Sequence, residues 1–179
     1  MKQINYGWPH NKAIPINILG SLEKKLKSNS TILDMGCGLN WVKSLSFMKK
    51  HKVIGVDPDA DTSPDILAEL HSEWSSLHKN FFDCAIALNS LHFGTQQQVL
   101  ENIRKLVSLT KGDSKSYITI NEKMIKDSNA SSIDDLKNLH DKWCKILKSE
   151  HTLYFSRLFT DEGLNAGDMG HHHFIIHKD

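Results

Sequence analysis

Leu33-Asp34-Met35-Gly36-Cys37-Gly38-Leu39-Asn40 is the stretch on which the reading of the fold turns. It closes the β-branched and apolar run Thr31–Met35 and opens Asn40–Lys50, where Trp41, Val42, Leu45 and Met48 recur at helical spacing. Glycines between a strand and a helix allow a tight turn and a close approach of backbone to a ligand. Asp34 stands at the carboxyl end of the strand, where open α/β sheets bind their ligands. A dinucleotide fingerprint, G-x-G-x-x-G, needs a third glycine; Trp41 occupies that place, so the nicotinamide-cofactor reading is weak. A second apolar run, Lys52–Val56, ends at Asp57, 19 residues after Gly38. An acid there can accept two hydrogen bonds from ribose hydroxyls.

Outward from this turn, strands and helices alternate. Upstream, Ile14–Lys27 is amphipathic through Ile16, Ile18, Leu19, Leu22 and Leu26. Downstream, Ile66–Leu70 reads as a short third strand and Ser72–Lys79 as one or two helical turns. Phe82–Leu88 is apolar on both faces, as an inner strand is when helices cover both its sides. Gln96–Leu109 repeats Val99, Leu100, Ile103, Leu106 and Val107 at helical spacing. Tyr117–Ile120 reads as a fifth strand, and Ser132–Leu147 as a helix capped by Ser132. Alternation of this kind predicts βαβ units and a parallel sheet. Leu153–Phe159 and His172–His177 follow with no helix between them, so this pair is antiparallel.

The 179 residues, with no repeat or low-complexity block, are read as a single domain: an N-terminal arm over 1–13 and a core over 14–179. Hydrophobic residues at 39% and charged residues at 24% describe a folded, soluble chain. A net charge of +1 gives no bulk basic field, so nucleic acid is not indicated as a partner. No apolar run is long enough to span a membrane, and the N-terminus lacks the apolar region of a signal peptide. Cys37, Cys84 and Cys144 are scattered without a C-x-x-C pair, which favours a reduced, cytoplasmic protein with Cys84 and Cys144 buried.

LDMGCGLN at 33–40, VIGVDP at 53–58, DILAELHS at 65–72 and FDCAIALNSLHF at 82–93 together resemble the class I S-adenosylmethionine-dependent methyltransferases. The resemblance covers the core from about Thr31 to Ile120, and the closing strand pair fits the family's reversed last strand. It implies a Rossmann-like α/β fold: a seven-stranded, mostly parallel sheet of order 3-2-1-4-5-7-6, strand 7 antiparallel, with helices on both faces. It implies S-adenosylmethionine as cofactor and S-adenosylhomocysteine as product. By position, Asp34 and the backbone of Gly36, Cys37 and Gly38 would hold the methionine end. Asp57 would bind the ribose and Pro58 would flank the adenine. Glu69 and Leu70 match the family's third motif, and Leu88 and Asn89 the turn that lines the methionine and sulfonium. Asn40 stands where a third glycine is frequent, and Glu69 where aspartate is commoner.

The acceptor leaves fewer marks, because methyl transfer from a sulfonium chiefly needs donor and acceptor to be positioned. The Asn/Asp-Pro-Pro-aromatic motif of amino-methylating nucleic-acid enzymes is missing from Asn89-Ser90-Leu91-His92-Phe93, and no Pro-Cys nucleophile is present. Leu91-His92-Phe93 looks similar to the L-H-H or L-E-H of small-molecule enzymes. His92 is the candidate general base or acceptor-orienting group; the other reading is that it packs beneath the site. His171, His173 and His177 share one strand face, but no acid or cysteine pattern completes a zinc site there. Tyr6 and Trp8, with the segments Asp59–Pro64, Glu122–Ser132 and Thr160–Gly170, are candidate walls of the acceptor pocket. The expected function is methyl transfer to oxygen or nitrogen of a small molecule. The alternatives are a non-catalytic subunit that binds cofactor or a partner, and a protein or RNA methyltransferase guided by a partner chain. A partner subunit or homodimer fits the short chain.

Overall fold

The computed structural model describes residues 13–160 and 170–179. Tyr6, Trp8 and nearly all of the Thr160–Gly170 segment lie outside them. A helix, α1 (Ala13–Glu23), leads into β1 (Thr31–Met35), then α2 (Trp41–Ser44), a 3-10 turn at Ser46–Lys50 and β2 (Lys52–Asp57). β3 (Ile66–Leu67), α3 (Glu73–Leu77), β4 (Phe82–Leu88), α4 (Gln96–Leu109) and β5 (Thr110–Asn121) follow. α5 (Ile133–Glu150), β6 (Thr152–Thr160) and β7 (Gly170–Lys178) complete the chain.

The seven strands form one sheet of order β3-β2-β1-β4-β5-β7-β6. All neighbours are parallel except β7, which runs antiparallel to both β5 and β6. The order and the reversed strand are those expected. β1 and β4 are apolar on both faces because both faces are covered. On one face Leu33, Met35, Ala85 and Ala87 pack against Ile103, Leu106 and Val107 of α4 and Trp143 and Leu147 of α5. On the other, Ile32, Cys84 and Ile86 meet Leu19 and Leu22 of α1 with Val42 and Met48. Cys84 and Cys144 are buried free thiols, as expected.

Three elements differ from their sequence reading. Asn40–Lys50 is two short pieces rather than one helix. Leu45 is extended between them (φ −65°, ψ 132°), and the Ser44 hydroxyl donates back to the Trp41 carbonyl at 2.6 Å. A serine hydroxyl competes in this way with the helical ladder. β5 begins at Thr110 rather than near Tyr117. Its polar first half carries no apolar alternation, yet it pairs with β7 from Ser114 onward, across a bulge opposite β4. β3 keeps only the Val56–Ile66 and Asp57–Leu67 pairs, so Glu69 and Leu70 lie beyond its end. α4 starts where the sequence predicts. A capping box fixes that start: the Thr95 side chain accepts from the Gln98 N–H, and Gln98 Oε1 accepts from the Thr95 N–H at 2.9 Å.

Candidate functional site

The carboxyl ends of β1, β2 and β4 converge on the glycine turn. Gly36 and Cys37 both donate backbone N–H groups to the Val56 carbonyl, at 2.7 and 3.2 Å, which ties the turn to the end of β2. Gly36 has φ +69° and Gly38 φ +49°. A Cβ on Gly36 would overlap the Cβ of Ser90, whose hydroxyl donates to the Met35 carbonyl at 2.5 Å. Among the described residues nothing stands within 4 Å of a Cβ on Gly38. Asn40, in left-handed backbone (φ 56°), reaches across to donate to the Ser63 carbonyl at 3.1 Å. Cys37 is packed against Gly55, and burial with nearby carboxylates raises its thiol to about 12, so it is inert as a nucleophile.

Two carboxylates sit at this junction. Asp57 accepts the Gly38 N–H on Oδ2 and the Asp59 N–H on Oδ1, each at 2.9 Å. Each oxygen keeps a further lone pair for a donor. Asp34 is 3% exposed and receives no hydrogen bond from any described residue. Burial, and then the charge of Asp57, raise its pKa to about 7. A buried carboxylate at the mouth of a sheet, held near neutrality, is a site that gains by receiving a cationic donor.

A cleft of about 500 Å³ opens beside this junction. Of the residues picked from sequence, it brings together Gly36, Pro58, Glu69 and Leu70. Asp34, Cys37, Gly38, Asn40, Asp57, Leu88, Asn89 and His92 do not line it; the two carboxylates lie next to its wall residues Met35, Gly36 and Pro58 in the chain. Asn89 is in left-handed backbone (φ 53°). The Thr119 hydroxyl oxygen accepts its N–H at 2.9 Å and donates to its Oδ1 at 3.0 Å, so the turn after β4 is strapped to β5. His92 is 3% exposed. Its Nδ1 accepts the Asn121 N–H at 3.2 Å, which leaves the proton on Nε2. Burial, with His171 nearby, lowers its pKa to about 4. The ring therefore has no free lone pair. Of the two readings made from sequence, packing beneath the site is the one this geometry supports.

Sequence reasoning missed Ser90, His71, Asn102 and Phe93 in the cleft wall. Asn102 donates to the Leu91 carbonyl at 3.0 Å, and its Oδ1 lies 2.7 Å from His71 Nε2. These partners are distant in the chain, so no local pattern announces them. Among the described residues no cluster of three or more histidines, cysteines or acids is placed to hold a metal. His173 turns to the Tyr117 hydroxyl at 2.8 Å, and His177 to Asp113 at 2.9 Å.

No protein-family model and no curated protein matches the chain by sequence. Solved structures do match it by fold. The PH0226 protein of Pyrococcus horikoshii OT3 superposes with a TM-score of 0.62 at 12% identity, over 98% of this chain and 94% of that one. The 1,6-didemethyltoxoflavin-N1-methyltransferase of Burkholderia thailandensis, solved with bound 1,6-didemethyltoxoflavin and S-adenosylhomocysteine, gives 0.55 at 16% identity, over 89% and 76%. The [4+2]-cyclase SpnF gives 0.61 at 13% identity, over 98% and 88%. The strand order, the reversed β7 and these superpositions agree: the chain has the fold of the class I S-adenosylmethionine-dependent methyltransferases.

Proposed function

We propose that the protein binds S-adenosylmethionine and transfers its methyl group to an oxygen or nitrogen of a small molecule. The observation that carries this reading is the buried Asp34 carboxylate, which has no donor among the described residues and lies beside Asp57 at the carboxyl end of β1. S-adenosylmethionine brings an ammonium, a sulfonium and two ribose hydroxyls to such a place, and when bound it supplies an electrophilic methyl group. Asp34 would answer the cationic end. The free lone pairs of Asp57 would accept the ribose hydroxyls. Pro58 and Leu70 give the adenine an apolar cleft, with Glu69 exposed at its rim. His92 would orient this wall by holding Asn121 at the end of β5 against the turn after β4.

A second reading, a cofactor-binding protein that does not transfer the methyl group, is favoured by the absence of a free lone pair on His92. The similarity in fold to a cyclase fits this reading, since one fold hosts several chemistries.

Thermal denaturation with S-adenosylhomocysteine tests the common core of both readings. A ligand that binds only the folded state at a hundred times its Kd adds about 2.7 kcal/mol. The melting temperature should rise in the wild type and stay put in Asp57→Ala. A wild-type midpoint unmoved by millimolar ligand overturns the proposal. Conversion of S-adenosylmethionine to S-adenosylhomocysteine in an acceptor screen then separates transfer from binding alone.

A further inference from the structure

A second recess of about 300 Å³ lies away from the cofactor cleft, between α1 and the β5-β7-β6 edge of the sheet. Its wall includes Lys115, which stands six residues before Asn121 on β5. At about 3.3 Å per residue, that is roughly 20 Å from the carboxyl end of the strand. The floor is apolar, formed by Ile18, Leu22, Phe155 and Ile175. The mouth is cationic. Lys25 Nζ donates to the Tyr154 hydroxyl at 2.5 Å and stands 4.3 Å from the ring centroid. Lys115 Nζ lies 5.4 Å from the centroid of the same ring. Among the described residues no acid lines the recess and neither lysine meets a carboxylate. Tyr154 itself is 55% exposed, a large aromatic face left open to solvent beside two uncompensated charges.

We propose that this recess binds a small amphiphilic anion, with its carboxylate or phosphate head between Lys25 and Lys115 and its hydrocarbon body against Ile18, Leu22, Phe155 and Ile175. The cofactor cleft does not share these features. Its walls carry Glu69 and Glu101 and no lysine or arginine. The recess is also closed at the back by Leu22 and Ile175, both under 10% exposed, so it suits a short chain rather than a flat protein surface. The lysines meet the head as point charges, and the alkyl stem of each extends the apolar wall.

Titration calorimetry with decanoate and decyl phosphate, below their micelle concentrations, tests this. Decanol and decyltrimethylammonium serve as the neutral and cationic controls. Binding of either anion, at least about tenfold tighter than both controls, is expected, and the tighter of the two anions identifies the head group. Lys25→Met with Lys115→Met keeps the apolar stems and should weaken the anion about tenfold or more. Tyr154→Glu, at an exposed position that leaves the core intact, places a carboxylate between the lysines and should abolish binding. S-adenosylhomocysteine should not compete. The proposal is overturned if neither anion binds, if the cationic control binds as well, if the lysine variant binds like wild type, or if S-adenosylhomocysteine displaces the anion.

Discussion

Asp34 carries the largest electrostatic strain in the candidate site. Its folded pKa of about 7 stands above the unfolded value of 3.8, so the folded state holds a proton that the unfolded state releases. The stability this gives is present in full below pH 3.8 and is lost as the pH rises toward 7. The ceiling on the loss is about 4 kcal/mol, from roughly three pKa units at 1.36 kcal/mol each. Asp34→Asn should therefore raise the stability of the ligand-free protein at pH 8, and the gain should shrink by more than half at pH 5. It should also remove the thermal shift given by S-adenosylhomocysteine. Urea denaturation at the two pH values checks the first part. A variant no more stable than wild type at pH 8 would show that Asp34 has a donor after all. Gly36→Ala is the companion case. It forces an alanine into φ +69° and against Ser90, and should cost about 2 kcal/mol or more. Ser90→Gly in the same chain should recover the steric part, measurable as a coupling between the two substitutions. Asp34 and the glycines were legible because strand, turn and acid are consecutive. Ser90 was not, because its contact with Gly36 joins residues far apart in sequence and appears only when β1 and β4 lie side by side.

Elements with strong local signals formed as read: β1, β4 and α4 have the bounds that their apolar patterns give. α4 shows the reason. Its buried stripe, Val99, Ile103, Leu106 and Val107, recurs at helical spacing, and the capping box fixes its first turn. Thr95→Ala leaves the Gln98 N–H without its acceptor and should lower stability by about 1 kcal/mol. Thr95→Ser should restore most of the loss. Urea unfolding of the three proteins checks this, and equal midpoints would place the start of α4 under tertiary control alone. The misread elements had competing signals. In Asn40–Lys50 the helical stripe was genuine, but the Ser44 hydroxyl competed for the Trp41 carbonyl and Leu45 is extended after it. The first half of β5 was hidden because Lys111, Gly112 and Asp113 carry no alternation. The strand there is held from its two ends, by Thr110 opposite Phe82 of β4 and by the pairing with β7 that starts at Ser114, both far from it in sequence. The site inherits the same division. The residues on β1 and β2 could be found in the sequence, whereas the wall contributed by His71 and Asn102 depends on α4 meeting the loop after β3.

Across the whole molecule, an unusual set of buried histidines decides the response to acid. His172 lies within the core face of β7, its Nδ1 3.0 Å from His140 Nδ1, and its ring stacks among His140, Trp143 and Phe174. One member of that pair donates and the other accepts, so protonating both breaks the bond and sets two charges against each other. His173 lies on the opposite face against Tyr117 and Phe159. Burial is the main cause of every shift: His92 falls to about 4, His172 and His173 to about 3, and His140 below its ordinary value. Because the folded values lie below the unfolded 6.5, the unfolded chain takes up the protons. Stability is full above pH 6.5 and falls as the pH drops toward the folded values. At pH 5 each of the three fully shifted rings costs up to about 2 kcal/mol, or about 6 together. Asp34 acts in the opposite sense and returns up to about 2 kcal/mol over the same interval. The histidines win by about 4 kcal/mol, a large part of the roughly 5–15 kcal/mol of an ordinary domain. The ligand-free protein should thus lose stability between pH 6.5 and 5. Replacing the stacked pair, His140→Leu with His172→Phe, should flatten that loss by at least about one proton, or 1.4 kcal/mol per pH unit. Unfolding free energies measured across this range for both proteins check it. Parallel curves would mean that the buried pair does not drive the acid response.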